Sequence, residues 1–375
     1  MDFALNEEQT LLRDSVRRFV DQDYGFEQRR RLVAHEGGFS AKHWAKFAQL
    51  GWLGAGLPDA AGGFGGSVIE TAIIAEQLGR GLVVEPFVPV AVLAAQALWH
   101  AGGAQPVLGA LVDGARRVVP ALNDAVDARA AVHAADNGAR RLVGRKTLVV
   151  GGPHADRFLV SAAEGNGVSL LLLPVDAPGL VRHDHRLIDG TPACDLQFDT
   201  AVQAGMRLGV PGAAAAAIEV AQHHATAAVC AQALGVTDRA IELTREYLLQ
   251  RQQFGVAIAS FQSLRHRLAD MLIAQEQARA TLHGALAALV DDEAQSRERV
   301  RAVAIAKAQS GRSGRFIGAQ AIQLHGGIGM ADETMVGHCF KQLMVLDAQH
   351  GNTAAQLRVL ADGLNGDRPR VTNST

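Results

Sequence analysis

The residues best suited by type and spacing to chemistry cluster late in the sequence. Arg251-Gln252-Gln253-Phe254-Gly255 sets a forked, permanently charged guanidinium three residues ahead of an aromatic ring. Such a guanidinium is built to hold paired anionic oxygens. Further on, Gln323-Leu324-His325-Gly326-Gly327 leads into Ile328-Gly329, and glycine lets backbone N–H groups approach a ligand. Taken singly, neither stretch decides anything. An isolated helix arginine is most simply a solvated charge, and paired glycines most simply mark a turn or a close backbone approach. For proton transfer the 14 histidines are candidates by type, the adjacent His223 and His224 among them. An imidazole titrates near ~6.5 and burial lowers that value, so at neutral pH it is an uncharged base. Adjacent histidines on a helix point in different directions, so at most one of the pair can serve. Cys194, Cys230 and Cys339 are odd in number, far apart and form no CxxC pair. Neither a disulfide framework nor a zinc site is signalled, and buried thiols are expected.

The elements that must carry these residues follow from periodicity. Leu11, Leu12, Val16, Phe19 and Val20 recur at helical spacing between Asn6, a candidate cap, and Tyr24. Trp44, Phe47 and Leu50 repeat the pattern between Ser40 as cap and Gly51 as stop, and a third segment runs from Val68 to Leu78 and ends at Gly79. The first part of the chain is therefore expected to be helical. From Arg116 to Leu208 the pattern changes to short runs, RRVVPAL, RRLVGRKTLVV, RFLVSAA and VSLLLLPV, separated by DNG, GGP, EGNG and PVDAPG. These predict a compact antiparallel β-domain. After Pro211 the chain is Ala-rich, with long periodic segments and almost no breakers before GGIG at 326–329, as in a helical bundle. The expected fold class is α+β, with an N-terminal helical domain over 1–112, a middle β-domain over 113–210 and a C-terminal helical bundle over 211–375. No fixed-period repeat is present.

Composition narrows the function. The 375 residues hold 36 Lys and Arg against 38 Asp and Glu with no long run of either sign. No nucleic-acid groove and no patch for an anionic membrane surface is indicated, which leaves a small-molecule role. The MDFALNEEQT start is acidic, unlike a secretory or transit peptide. Apolar runs such as LAAQALWHAG fall short of the ~20 residues that span a bilayer. The reading is a cytoplasmic protein without membrane insertion.

Two segments carry a specific likeness. REYLLQRQQFGVAIASFQSLRHRLADM, from Arg245 to Met271, and AQAIQLHGGIGM, from Ala319 to Met330, together resemble the C-terminal signature of the acyl-CoA dehydrogenases. The helix, sheet, helix order extends the likeness over essentially the whole chain, and the resemblance implies that family's fold, with a β-barrel-like middle domain and a C-terminal four-helix bundle. The resemblance implies a flavoprotein of fatty-acid β-oxidation type that takes a proton and a hydride from neighbouring carbons of an acyl-CoA thioester. The hydride passes to FAD, with an electron-transfer flavoprotein as onward acceptor. In that family the flavin ring rests on its own chain's β-domain while the ADP half is held by the facing subunit. On this resemblance Arg251 matches the pyrophosphate arginine, Phe254 the aromatic after it, and Phe261 and Gln262 the next contact pair. Gln323, Leu324, His325, Gly326 and Gly327 match the adenosine-side loop.

The sequence also departs from the family pattern. A Thr-Glu-rich loop ending in Gly-Ser-Asp has no counterpart in PALNDAVDARAAVHAADNG, and the flavin-facing tryptophan and threonine positions hold Leu148 and Val150. The usual glutamate position is His350, before Gly351, and the alternative one on an earlier helix is Ala225, ten residues before Gly235. No carboxylate stands at either place, so the catalytic residue stays unassigned. Retained residues are those that bind a neighbour's flavin, and lost ones are those that bind and use the chain's own.

This division resembles small subunits of the pimeloyl-CoA dehydrogenase type, which pair with a paralogous large subunit. LNEEQTLLRDSV, FEQRR, GGFGG, GRSGRFIGAQAIQLHGGIGM and VGHCFKQL carry that closer likeness, and it hints at a dicarboxylic or bulky acyl chain. Two alternatives stand beside it. One is a self-sufficient homo-oligomeric dehydrogenase using His350 or an unaligned carboxylate such as Glu219. The other is an acyl-CoA-binding or scaffold protein without flavin chemistry.

Overall fold

The structure is a computed structural model describing residues 4–134, 140–291 and 293–366. The chain forms two compact units. One comprises Glu8–Ala75 and Val83–Ala228, and the other Glu76–Leu82 with Val229 onwards and the first residues up to Glu7. The DNG turn signal at 136–138 lies outside the described residues.

The first unit opens with helices α1 (Glu7–Asp23), α2 (Phe26–His35), α3 (Ala41–Gln49) and the start of α4 (Val68–Arg80), whose last residues belong to the other unit, then α5 (Ala95–Ala101) and α6 (Gln105–Val112). The expected punctuation of α3 is present. The Ser40 hydroxyl accepts from the His43 N–H at 3.3 Å, and Gly51 adopts φ 75° just past the helix end. The apolar stripe of α1 meets an aromatic core in which Phe19 lies edge-on to Phe47 and Trp52, at centroid distances of 5.3 and 5.6 Å.

The strands follow: β1 (Val118–Ala121), β2 (Ala131–Ala134), β3 (Arg140–Val150), β4 (Arg157–Glu164), β5 (Gly167–Pro174), β6 (Leu180–Arg186), β7 (Pro192–Ala201) and β8 (Arg207–Leu208). They form one eight-stranded sheet in the order β6-β7-β3-β2-β4-β5-β8, with β1 added beside β4. The purely antiparallel expectation is corrected here, because β1 and β2 both pair with β4 in parallel. Each is separated from β4 by enough intervening chain to return in the same direction, which a hairpin cannot do. Within β3 the register slips between Lys146 and Val149, and Leu148 takes φ 54°. Lys146 is 1% exposed and its charge is met by Asp124 Oδ1 at 2.6 Å and Ser161 Oγ at 2.9 Å.

The second unit is built on the later part of α7 (Ala215–Gln250) with α8 (Gln262–Val290), α9 (Ser296–His325), α10 (Met335–Ala348) and α11 (Thr353–Gly366). A two-stranded ribbon, β9 (Gln252–Gln253) and β10 (Val256–Ala257), interrupts the helices between α7 and α8. Gly79 does not stop α4, which runs on to Arg80. A Cβ on Gly79 would lie 2.1 Å from the Gln232 carbonyl oxygen, and one on Gly235 would lie 1.7 Å from that of Glu76. The glycine read as punctuation is a helix-crossing contact between α4 and α7. Among the described residues no helix is long and apolar enough to cross a membrane.

Candidate functional site

The site residues that the resemblance names lie in the second unit, in the segment between α7 and the start of α8 and at the end of α9. Past Gln250 the chain turns back on itself, with Val256 opposite Gln253 and Ala257 opposite Gln252. Phe254 and Gly255 are the two turn residues, and both have positive φ, 53° and 80°. That is the signature of a two-residue hairpin whose twist matches its strands. Glycine adopts it freely, but a phenylalanine there costs about 1–2 kcal/mol. The ring gains little cover in return. It is 91% exposed and meets Phe261 edge-on at 6.1 Å. A bulky apolar side chain held in a strained turn and turned to solvent points to a role outside its own fold.

Arg251 sits at the root of this hairpin. Its N–H donates to the Tyr247 carbonyl and its own carbonyl accepts from the Ile258 N–H, both at 2.8 Å. The backbone is thereby fixed while the side chain is exposed, and no described residue pairs with the guanidinium. Phe261 precedes the first turn of α8, and Gln262, the first residue of that helix, is exposed.

At the end of α9, Gln323, Gly326 and Gly327 are exposed, whereas Leu324 and His325 are buried. Gly326 needs glycine for its φ of 65°. Gly327 does not, and a Cβ there would meet nothing within 4 Å, so packing within the chain leaves its identity free. His325 donates from Nδ1 to the Ala321 carbonyl at 2.8 Å and stacks on Tyr247, with ring centroids 4.5 Å apart and planes 21° apart. Burial holds its pKa below the usual imidazole value. Tyr247 was not singled out from sequence. Its one signal there is its place four residues ahead of Arg251 in REYLLQR.

His350 lies between α10 and α11 with φ 54°. Lys307, 1% exposed, donates from Nζ to the Leu346 and Asp347 carbonyls at 3.0 and 2.8 Å. Burial and then this ammonium push the His350 pKa down to about 4. Among the other candidates, Ala225 is fully buried on α7, His223 and His224 are half-buried beside it, and Glu219 is exposed. The three cysteines are buried free thiols, with burial raising Cys194 to about 12 and Cys230 to about 11. No cluster of metal-ligating side chains occurs among the described residues.

Residues 6–105 match the acyl-CoA dehydrogenase N-terminal domain and residues 214–365 the acyl-CoA dehydrogenase C-terminal domain. Acyl-CoA dehydrogenase FadE27 of Mycobacterium tuberculosis is 30% identical over 370 residues, covering 96% of this chain and 97% of that protein. This chain belongs to the acyl-CoA dehydrogenase family. In its fold the chain is similar to the ChsE4-ChsE5 complex from Mycobacterium tuberculosis, with TM-score 0.89, 29% identity and coverage of 98% of this chain and 100% of that one. It is also similar to the Tcur3481-Tcur3483 steroid ACAD G363A variant, with TM-score 0.86, 29% identity and coverage of 96% and 98%.

The acyl-CoA dehydrogenases are FAD-dependent oxidoreductases, and two parts of this member suit that cofactor unequally. At the hairpin and the α9 end, a guanidinium that no described residue pairs with, an exposed aromatic ring and an open glycine are chemically suited to an anionic dinucleotide. On β3, Leu148 and Val150 offer only hydrocarbon, and the Leu148 N–H is already given to Asp195 Oδ1 at 3.1 Å. Part of the loop that would supply further polar groups, residues 135–138, lies outside the described residues.

Proposed function

We propose that this acyl-CoA dehydrogenase is the non-catalytic subunit of a heteromeric, FAD-dependent enzyme that desaturates an acyl-CoA thioester between its α and β carbons. Its partner is a paralogous large subunit. FAD, when bound, accepts the hydride. The observation that carries the reading is the contrast between an intact outward-facing Arg251–Phe254 hairpin and base positions held by His350 and Ala225.

In this reading Arg251 would hold the pyrophosphate of the partner's FAD, which a forked guanidinium suits. Phe254 and Phe261 would cover apolar surface beside it, while Gln262 and Gln323 would supply amide donors and acceptors. Gly326 and Gly327 would let backbone approach the adenosine, with Leu324 and His325 backing that turn from inside. The chain takes no proton from substrate. A general base works best with a pKa near the operating pH, and His350 at about 4 would hold an abstracted proton about a thousandfold less well than a base tuned to neutrality. That argues against the homo-oligomeric alternative.

The similarity to a complex described as a steroid ACAD favours a bulky acyl group over the dicarboxylic one, and an electron-transfer flavoprotein is the proposed acceptor. Co-expression with the large paralogue tests the reading. The two should co-purify with bound flavin, and Arg251→Ala should strip that flavin from the complex. A chain that alone carries one flavin per subunit and oxidises acyl-CoA would overturn it.

A further inference from the structure

Tyr247 and His325 come from different helices, yet each is one step from a segment that meets the outside. The Tyr247 carbonyl accepts the Arg251 N–H at 2.8 Å, and His325 is followed directly by Gly326. The rings stack at 4.5 Å and 21°, and the imidazole is fixed from behind by the Ala321 carbonyl. His325 is buried and Tyr247 half-buried, so both work through their neighbours. No described partner engages the tyrosine hydroxyl, which leaves its ring face as the working part.

We propose that the Tyr247–His325 stack is a positioning pair that sets the spacing between the Arg251 hairpin and the Gly326–Gly327 turn, making them one preformed grip on a dinucleotide. This inference rests on the function proposed above. A dinucleotide spans a pyrophosphate and an adenosine, and two loops that drift independently must be ordered on each binding event. A single stacked pair between their roots removes that cost before the ligand arrives. Misplacement of binding groups by about 1 Å is enough to weaken a site of this kind.

The test uses the purified flavin-loaded oligomer, stripped of flavin and titrated with FAD and, separately, with FMN, which lacks the AMP half and so has neither the adenosine nor the pyrophosphate. Tyr247→Leu and His325→Ala should each weaken FAD about tenfold, near the upper end of what one aromatic pair contributes. FMN affinity should not change. Tyr247→Phe keeps the ring and should keep FAD affinity. Hydrogen exchange gives a second readout: with the stack removed, amides of both Phe254–Val256 and Gly326–Ile328 should exchange faster in the FAD-loaded oligomer. Unchanged FAD affinity in a folded Tyr247→Leu oligomer, equal losses of FAD and FMN, or faster exchange in only one segment would each refute the coupling. If instead Arg251→Ala leaves FAD affinity unaltered, the underlying reading of the hairpin fails, whatever the stack does.

Discussion

Lys307 donates to the backbone carbonyl of Asp347 at 2.8 Å, three residues before His350, and so places a buried ammonium under the turn that carries the imidazole. Burial first and this charge second hold the His350 pKa at about 4, against an ordinary 6.5. The same turn is closed by the Asp347 carboxylate, which accepts from the Thr353 N–H at 3.1 Å and its hydroxyl at 2.7 Å as α11 begins.

A pH dependence follows from the depressed value. The unfolded chain takes up a proton at His350 near pH 6.5 while the folded chain refuses it until about 4. The group's contribution to stability is complete above ~6.5 and is lost as pH falls towards ~4. Thermal melting over that window should show a steeper fall for the native protein than for His350→Gln. Parallel curves would mean that His350 does not titrate as its surroundings dictate.

Phe254 should show a conflict between stability and binding. Phe254→Asn relieves a positive-φ turn in which Asn-Gly is the favoured pair, so the melting temperature should rise by the equivalent of about 1 kcal/mol. Flavin retention by the assembled enzyme should fall. A drop in stability would show that the edge-on contact with Phe261 outweighs the backbone strain.

The two helix-crossing glycines and Gly327 should behave in opposite ways. Gly79→Ala or Gly235→Ala drives a methyl into a carbonyl oxygen and should destabilise by about 1–3 kcal/mol in denaturant titration. Gly327→Ala has ordinary φ and open space, so the chain should keep its stability while flavin binding in the complex weakens. Equal destabilisation at all three positions would remove the distinction between packing and ligand glycines.

These glycines also show what sequence can and cannot convey. Helical spacing made α1 and α3 legible because one face of each is buried, and Ser40 and Gly51 act locally, so their types state their roles. Gly79 signals a stop, because punctuation is the local meaning of glycine. Its actual role is set by Gln232, a residue far along the chain. The parallel placement of β1 beside β4 was hidden for the same reason, since alternation reports burial and carries no pairing partner. At the candidate site Arg251, Phe254 and His325 are marked by the family resemblance, which conveys no direction. The structure exposes Arg251 and Phe254, and buries His325 against Tyr247.

A carboxylate can be rebuilt at the position that the family resemblance gives to the base. His350→Glu restores a carboxylate, and it would sit beside the buried Lys307 ammonium, which favours its ionised form. A base alone does not make a dehydrogenase. Leu148 and Val150 still present hydrocarbon where the family resemblance places a ring-stacking tryptophan and a hydroxyl, and the Leu148 N–H remains committed to Asp195. The single variant, purified without a partner, should therefore neither hold flavin nor oxidise acyl-CoA. Adding Leu148→Trp and Val150→Thr should raise bound flavin per chain, read by absorbance, before any turnover appears. Turnover by His350→Glu alone would mean that the chain already binds its own flavin, and the division of labour between two subunits would have to be abandoned.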